Sequence, residues 1–110
     1  MKVVEKPWGF ELIWAETENY VGKLLHINPK QRLSLQYHEE KEETVFVTNG
    51  TLLNYTDIES PPQHIRAGQS LHVSPNQVHR FGAGKDYVEL IEVSTPHLED
   101  VVRIEDDYDR

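Results

Sequence analysis

The stretch Arg32-Leu33-Ser34-Leu35-Gln36-Tyr37-His38 alternates apolar and polar side chains at every step. A period of two belongs to an extended strand, whose successive side chains point to opposite faces. Leu33, Leu35 and Tyr37 therefore share one face, and Arg32, Ser34, Gln36 and His38 the other. Taken alone, this is a half-buried strand with its polar face in water.

Working outward, the rest of the chain reads as further short strands. They are Phe10 to Trp14, Tyr20 to Ile27, Thr44 to Val47, Leu52 to Ile58, Ser70 to Val73, Val78 to Gly82 and Tyr87 to Val93. Turn chemistry separates them at Asn28-Pro29, Asn49-Gly50, Ser60-Pro61-Pro62, Ala67-Gly68, Ser74-Pro75-Asn76 and Gly82-Ala83-Gly84. Asn49-Gly50 carries the signature of a hairpin turn. No window of eleven or more residues keeps a helical apolar period. The stretch from His97 to Ile104 suits either a last strand or a short helical turn. An all-β sandwich or barrel is expected, built as a single domain over 1–110 with a core at about 8–96 and an acidic tail at 97–110.

Composition narrows the chemistry. The 110 residues include no cysteine and six histidines, so a bound metal would be held by nitrogen and oxygen donors alone. Formal net charge is −8, the wrong sign for a phosphate backbone, and nucleic-acid binding is not expected. A small phosphorylated ligand would still need only two or three local cations. No apolar run is long enough for a signal peptide or a membrane span, so a cytoplasmic protein without membrane contact is expected.

Gln36 and His38, two apart, project to the same side of their strand. Glu43 follows after a connection of four residues, and Ser74-Pro75-Asn76-Gln77-Val78-His79 makes a turn that delivers a second histidine at a strand start. A metal inside a barrel suits two ligands from one strand, a carboxylate from its neighbour and a fourth from across the barrel. Gln36, His38, Glu43 and His79 are the candidate ligands. His26, His64, His72 and His97 have no partner at such spacing and read as surface residues.

The order Gln36-x-His38, Glu43, Gly50, Gly68 and a proline turn before His79 resembles the two motifs of the cupin superfamily, with glutamine in place of the usual first histidine. Gln-x-His is the form of mannose-6-phosphate isomerases. Lys6-Pro7-Trp8-Gly9, Arg32-Leu33-Ser34-Leu35-Gln36, Val78-His79-Arg80-Phe81, Leu90-Ile91-Glu92-Val93 and Asp100-Val101-Val102-Arg103-Ile104-Glu105-Asp106 resemble its type II isomerase domain from about Lys6 onward. Two departures stand out: Glu39-Glu40-Lys41-Glu42 follows His38 where bifunctional members show more histidines, and Asp109 stands where the family's ending has glycine.

The resemblance implies a cupin double-stranded β-helix, a jelly-roll β-barrel. It implies one divalent ion on Gln36, His38, Glu43 and His79, with zinc first and manganese, iron, nickel or cobalt also compatible. The implied activity is a sugar-phosphate isomerase interconverting mannose 6-phosphate and fructose 6-phosphate. A non-catalytic metabolite- or carbohydrate-binding cupin and a metal-dependent dioxygenase are the alternatives. Glu92 is the candidate catalytic base or orienting residue, set against an outward glutamate on a half-exposed strand. Arg32, on the face of Gln36 and His38, is a candidate phosphate ligand, set against a solvated surface residue. Lys23 and Arg103 read as surface cations, and Arg80 is expected to face away from His79. Trp8 and Trp14 read as packing residues, with a dimer contact or a pocket rim the alternative for Trp8, and pairing of cupins through an outer sheet implies a homodimer.

Overall fold

The computed structural model describes residues 1–109. Strands β1 (Lys2–Lys6), β2 (Gly9–Glu16), β3 (Val21–Ile27), β4 (Leu35–Tyr37), β5 (Glu43–Asn49), β6 (Thr51–Tyr55), β7 (Gln63–Arg66), β8 (Ser70–Val73), β9 (Arg80–Ala83), β10 (Val88–Ser94) and β11 (Val102–Glu105) follow one another, with no helix among the described residues. Among the described residues no helix is long and apolar enough to cross a membrane.

One layer is a six-stranded sheet in the order β1-β2-β3-β10-β5-β8. The other consists of the pair β11-β4 and the triplet β7-β6-β9, joined by antiparallel bridges at Arg32↔Gly82 and Gln36↔His79. The inward face of the larger sheet is set by alternation. Val88, Leu90, Glu92 and Ser94 of β10, Glu43, Val45 and Val47 of β5, and Val21, Lys23, Leu25 and Ile27 of β3 are all buried. Most of the apolar ones join Trp8, Leu52, Ile65, Val73, Phe81 and Ala83 in a single core cluster. At roughly 25 cal/mol per Å² of apolar surface, this interior drives folding.

The expected Asn49-Gly50 hairpin is instead a corner. β5 and β6 lie in different sheets, and the chain passes from one to the other at Gly50. Its φ of 80° is in the left-handed region, and a Cβ there would sit 2.5 Å from the Tyr87 carbonyl oxygen, so glycine is required. β1 and β7 were not expected from the sequence. Both are edge strands with mostly exposed, charged or polar residues, which blurs the alternation that marks a strand.

The acidic end of the chain is part of the fold. β11 pairs with β4, resolving the choice over His97 to Ile104 toward a strand. Asp100 accepts hydrogen bonds from the backbone N–H groups of Glu39, Glu40 and Lys41. Bonds from the first two amides hold its carboxyl down at about 2. Asp107 accepts from both Arg32 and Arg80, and Arg80 also binds Glu105 at 2.6 Å. Asp109 adopts φ 56°, the conformation that favours glycine and that aspartate tolerates better than most side chains.

On the outer face of the larger sheet, Val3, Leu12, Leu24, Ile91 and Phe46 stand opposite one another across five strands. Trp14 belongs to this face and is 44% exposed rather than packed inside; its ring lies against Gly22, whose missing side chain makes room.

Candidate metal centre

His38 lies just past β4, Glu43 opens β5, and His79 immediately precedes β9. Gln36 and His79 are bridge partners exchanging two backbone hydrogen bonds, so the second histidine arrives beside Gln36 in the same sheet. Glu43 comes from the larger sheet opposite. The expected roles are thus reversed: the carboxylate crosses the barrel and the histidine is the neighbour. One ligand atom from each of His38, Glu43 and His79 falls within 4.8 Å of the others. His38 Nε2 and His79 Nε2 are each 3.7 Å from a Glu43 oxygen.

Both rings are held by their other nitrogen. Nδ1 of His38 donates to the Asp100 carbonyl and Nδ1 of His79 to the Gln77 carbonyl, which leaves Nε2 as the lone-pair nitrogen in each. Burial lowers both imidazoles from their ordinary value, so they stand neutral at pH 7. His38 Nε2 is buried without a hydrogen-bond partner, and Glu43 Oε2 beside it meets only the Lys41 ammonium, at 3.0 Å. A buried polar atom left unpaired costs about 1–3 kcal/mol, and a cation bound to the His38 nitrogen would remove that cost. Two neutral imidazoles and a carboxylate fit a divalent metal of the zinc, manganese or iron kind. Gln36 faces the same cavity, and its Oε1 accepts from Ser34 Oγ at 2.6 Å.

The cavity holding these groups has a volume of about 110 Å³. On the measure where one water takes roughly 10–15 Å³, it has room for several waters or part of a small molecule. Glu92 is among its lining residues and is 4% exposed, so it is not an outward glutamate. Between Glu43 and Glu92 stands Lys41, its Nζ 3.0 Å from one and 3.1 Å from the other. Burial opposes its charge, yet the two carboxylates raise the ammonium well above its ordinary value. Glu43 is raised by burial and by the nearby Glu92. Burial also works to raise Glu92, but Lys41 and then Lys23 outweigh it and hold the carboxyl below its ordinary value.

Lys41 carries no strand periodicity and could not be singled out from the acidic run around it. Lys23 could have been: it sits in phase with Val21, Leu25 and Ile27, and it is buried and paired with Glu11 at 3.3 Å rather than solvated. Arg32 does not point along the cavity. Its guanidinium is engaged by Asp107 at 2.6 and 3.1 Å and lies over the Tyr55 ring at 5.3 Å, outside the cavity lining. The strand is regular only over Leu35–Tyr37, so the face shared by Gln36 and His38 does not extend back to Arg32. Arg80 faces away from His79, as expected, with its Nε bound to the Leu33 carbonyl. Trp8 is buried in the core and also lines the cavity, whose wall includes Lys6 and Arg103 as well.

Comparison with known proteins agrees with this architecture. Residues 1–106 match the family model described as mannose-6-phosphate isomerase C-terminal. A mannose-1-phosphate guanylyltransferase of Sinorhizobium fredii is 26% identical over 106 residues, which are 93% of this chain and 20% of the relative. The chain thus spans about a fifth of that protein's length. A cupin-like protein from Thermotoga maritima superposes with a TM-score of 0.76 at 20% identity, covering 88% of this chain and 76% of the other. A cupin-superfamily sugar phosphate isomerase from Silicibacter pomeroyi gives 0.67 at 22% identity, covering 78% and 58%. At such identities the two structures establish the fold, a cupin double-stranded β-helix, and the family match extends over nearly the whole chain. The chain therefore belongs to the family of mannose-6-phosphate isomerase C-terminal cupin domains.

Proposed function

We propose that the protein is a metal-dependent sugar-phosphate isomerase of the mannose-6-phosphate/fructose-6-phosphate type. The observation that carries this reading is the buried His38–Glu43–His79 cluster, with both imidazole Nε2 atoms turned to one carboxylate and Lys41 and Glu92 beside it. His38, Glu43 and His79 would hold the ion, with the Gln36 amide oxygen as a fourth donor. A divalent ion, zinc first, would supply Lewis-acid polarisation of the sugar oxygens.

Aldose–ketose interconversion moves a proton between adjacent carbons. The protein must exclude water, fix the sugar and hold charges where negative charge develops. Lys41, kept cationic by Glu43 and Glu92, places a fixed positive charge at the site. Glu92 is the candidate for proton transfer or orientation. A carboxyl held below its usual range is a weak base at neutral pH, which favours the orienting role, with Lys41 as the group it positions.

The test is conversion of mannose 6-phosphate to fructose 6-phosphate by zinc-loaded protein and by His38→Ala. Activity lost with the metal in the variant is expected; equal activity in both would rule out the assigned centre. The short Lys41–Glu43 ion pair favours a second reading, a metabolite-binding cupin that keeps the shape without turnover. Absence of zinc uptake by the wild-type protein would select it. The outer row of Val3, Leu12, Leu24, Ile91 and Phe46 supports the expected homodimer, which sedimentation would test.

A further inference from the structure

The charges around the cavity do not cancel. Lys6, Lys23, Lys41 and Arg103 line it, against the carboxylates Glu11, Glu43 and Glu92. This excess of cations occurs in a protein of net charge −8. Two of the lysines are spoken for: Lys23 pairs with Glu11, and Lys41 lies between Glu43 and Glu92. The side chains of Lys6 and Arg103 have no hydrogen-bond or ion-pair partner among the described residues. They sit at the rim, Lys6 half-buried at the end of β1 and Arg103 exposed on β11. Arg103 is the cross-strand partner of Gln36, which places it over the same chamber. Trp8, two residues beyond Lys6, lines the wall, and its buried indole N–H has no acceptor. Two unpaired cations and a spare donor beside a polar chamber are the complement of an oxyanion.

We propose that Lys6 and Arg103 form an anion clamp that holds the charged end of the ligand at the mouth while its oxygen-bearing end reaches the His38–Glu43–His79 cluster. The proposal deepens the isomerase reading and rests on it for the placement of the ligand's other end. Phosphate monoesters and sugar carboxylates share the required chemistry. Arg103 suits either by its planar, two-pronged donor geometry, and Lys6 adds a point charge.

The experiment is calorimetric titration of zinc-saturated protein with inorganic phosphate, mannose 6-phosphate, glucuronate and mannose. It compares wild type with the double variant Lys6→Gln/Arg103→Gln and the charge-keeping Lys6→Arg/Arg103→Lys. The Gln pair should lose about tenfold or more in affinity for phosphate and mannose 6-phosphate. It should bind mannose as wild type does and retain its zinc, and the charge-keeping pair should restore most of the affinity. A larger loss for glucuronate than for mannose 6-phosphate would place the ligand among sugar acids while keeping the clamp. Equal anion affinity in the Gln pair and wild type would overturn the proposal, as would a wild type that binds no anion more tightly than mannose. Isomerase kinetics separate the two readings. Turnover with KM unchanged in the Gln pair rejects the clamp and keeps the isomerase, whereas charge-dependent binding without turnover keeps the clamp and rejects the isomerase.

Discussion

β3, β10 and β5 lie side by side in the larger sheet, and along each of them the inward side chains change from apolar to ionic. At one end their inward side chains are Leu25 and Ile27, Val88 and Leu90, and Val45 and Val47, all buried in the core cluster. Further along, the same inward positions are Lys23, Glu92 and Glu43, equally buried but ionic. Because alternation has a period of two, the apolar half sets the phase and carries the charged half inward with it. Ordinary packing at one end thus delivers to the other end charges that would not bury themselves. Burying isolated charges is costly, and here each has a counter-charge: Lys23 with Glu11, and Lys41 with Glu43 and Glu92.

Cutting into the apolar end should have the largest effect on stability. Leu90→Ala removes a fully buried side chain and is expected to cost about 2–5 kcal/mol. Urea denaturation would measure the loss, while the fraction that remains folded should still bind zinc. If zinc affinity fell in step with stability, the two ends would not be separable. Next is Lys41→Met at the ionic end. It leaves Glu43 and Glu92 facing each other without their shared cation, at a cost of about 3 kcal/mol or somewhat more in metal-free protein. Saturating zinc should return part of that cost; a variant equally destabilised with and without zinc would show that Lys41 and the metal do not share Glu43.

The third prediction concerns pH. Burial lowers His38 and His79 from 6.5, so in the metal-free protein the unfolded chain takes up these protons first. Stability contributed by the neutral rings is complete above pH 6.5 and declines as pH falls through their folded values. Conversely, zinc binding should persist somewhat below pH 6.5, since the two imidazoles stay unprotonated there. Thermal melts between pH 8 and 5 with and without zinc would register both; a metal-free melting temperature constant across that range would contradict the assignment. The smallest effect belongs to the docked tail. Asp107 is held below its ordinary value chiefly by the Arg32 hydrogen bond, so its contribution is present above about pH 4 and is lost on acidification. Because the pair is substantially exposed, Asp107→Asn should cost less than about 1 kcal/mol at neutral pH, measured by denaturant midpoint.

Much of the site could be read in advance because it lies on local spacing. Gln36 and His38 are two apart, within and just past β4, and His79 follows a proline turn; the structure brings both histidines to Glu43. Other lining groups were hidden for different reasons. Lys41 sits in a connection with no period, and Glu11 belongs to a strand whose inward face is only partly apolar. The departure at position 109 also has a local cause: the backbone there has positive φ, where glycine is easiest and aspartate is tolerated.

By itself the sequence determined the all-β class and singled out His38, Glu43 and His79, which the structure gathers into one group. Alternation and turn preference act over a few residues, so they can be read without knowing what a strand pairs with. Tertiary structure alone decided which strands are neighbours, and so which carboxylate faces which histidine. Gln36 pairs with His79, 43 positions on, through backbone hydrogen bonds that no side chain specifies. That pairing put the histidine beside Gln36, sent Glu43 across the barrel and drew Arg32 away toward Asp107. It also left Lys6 and Arg103, from opposite ends of the chain, at one cavity mouth. Such contacts rest on non-local packing among strands far apart in sequence, where a residue's own neighbours carry no information about its partner.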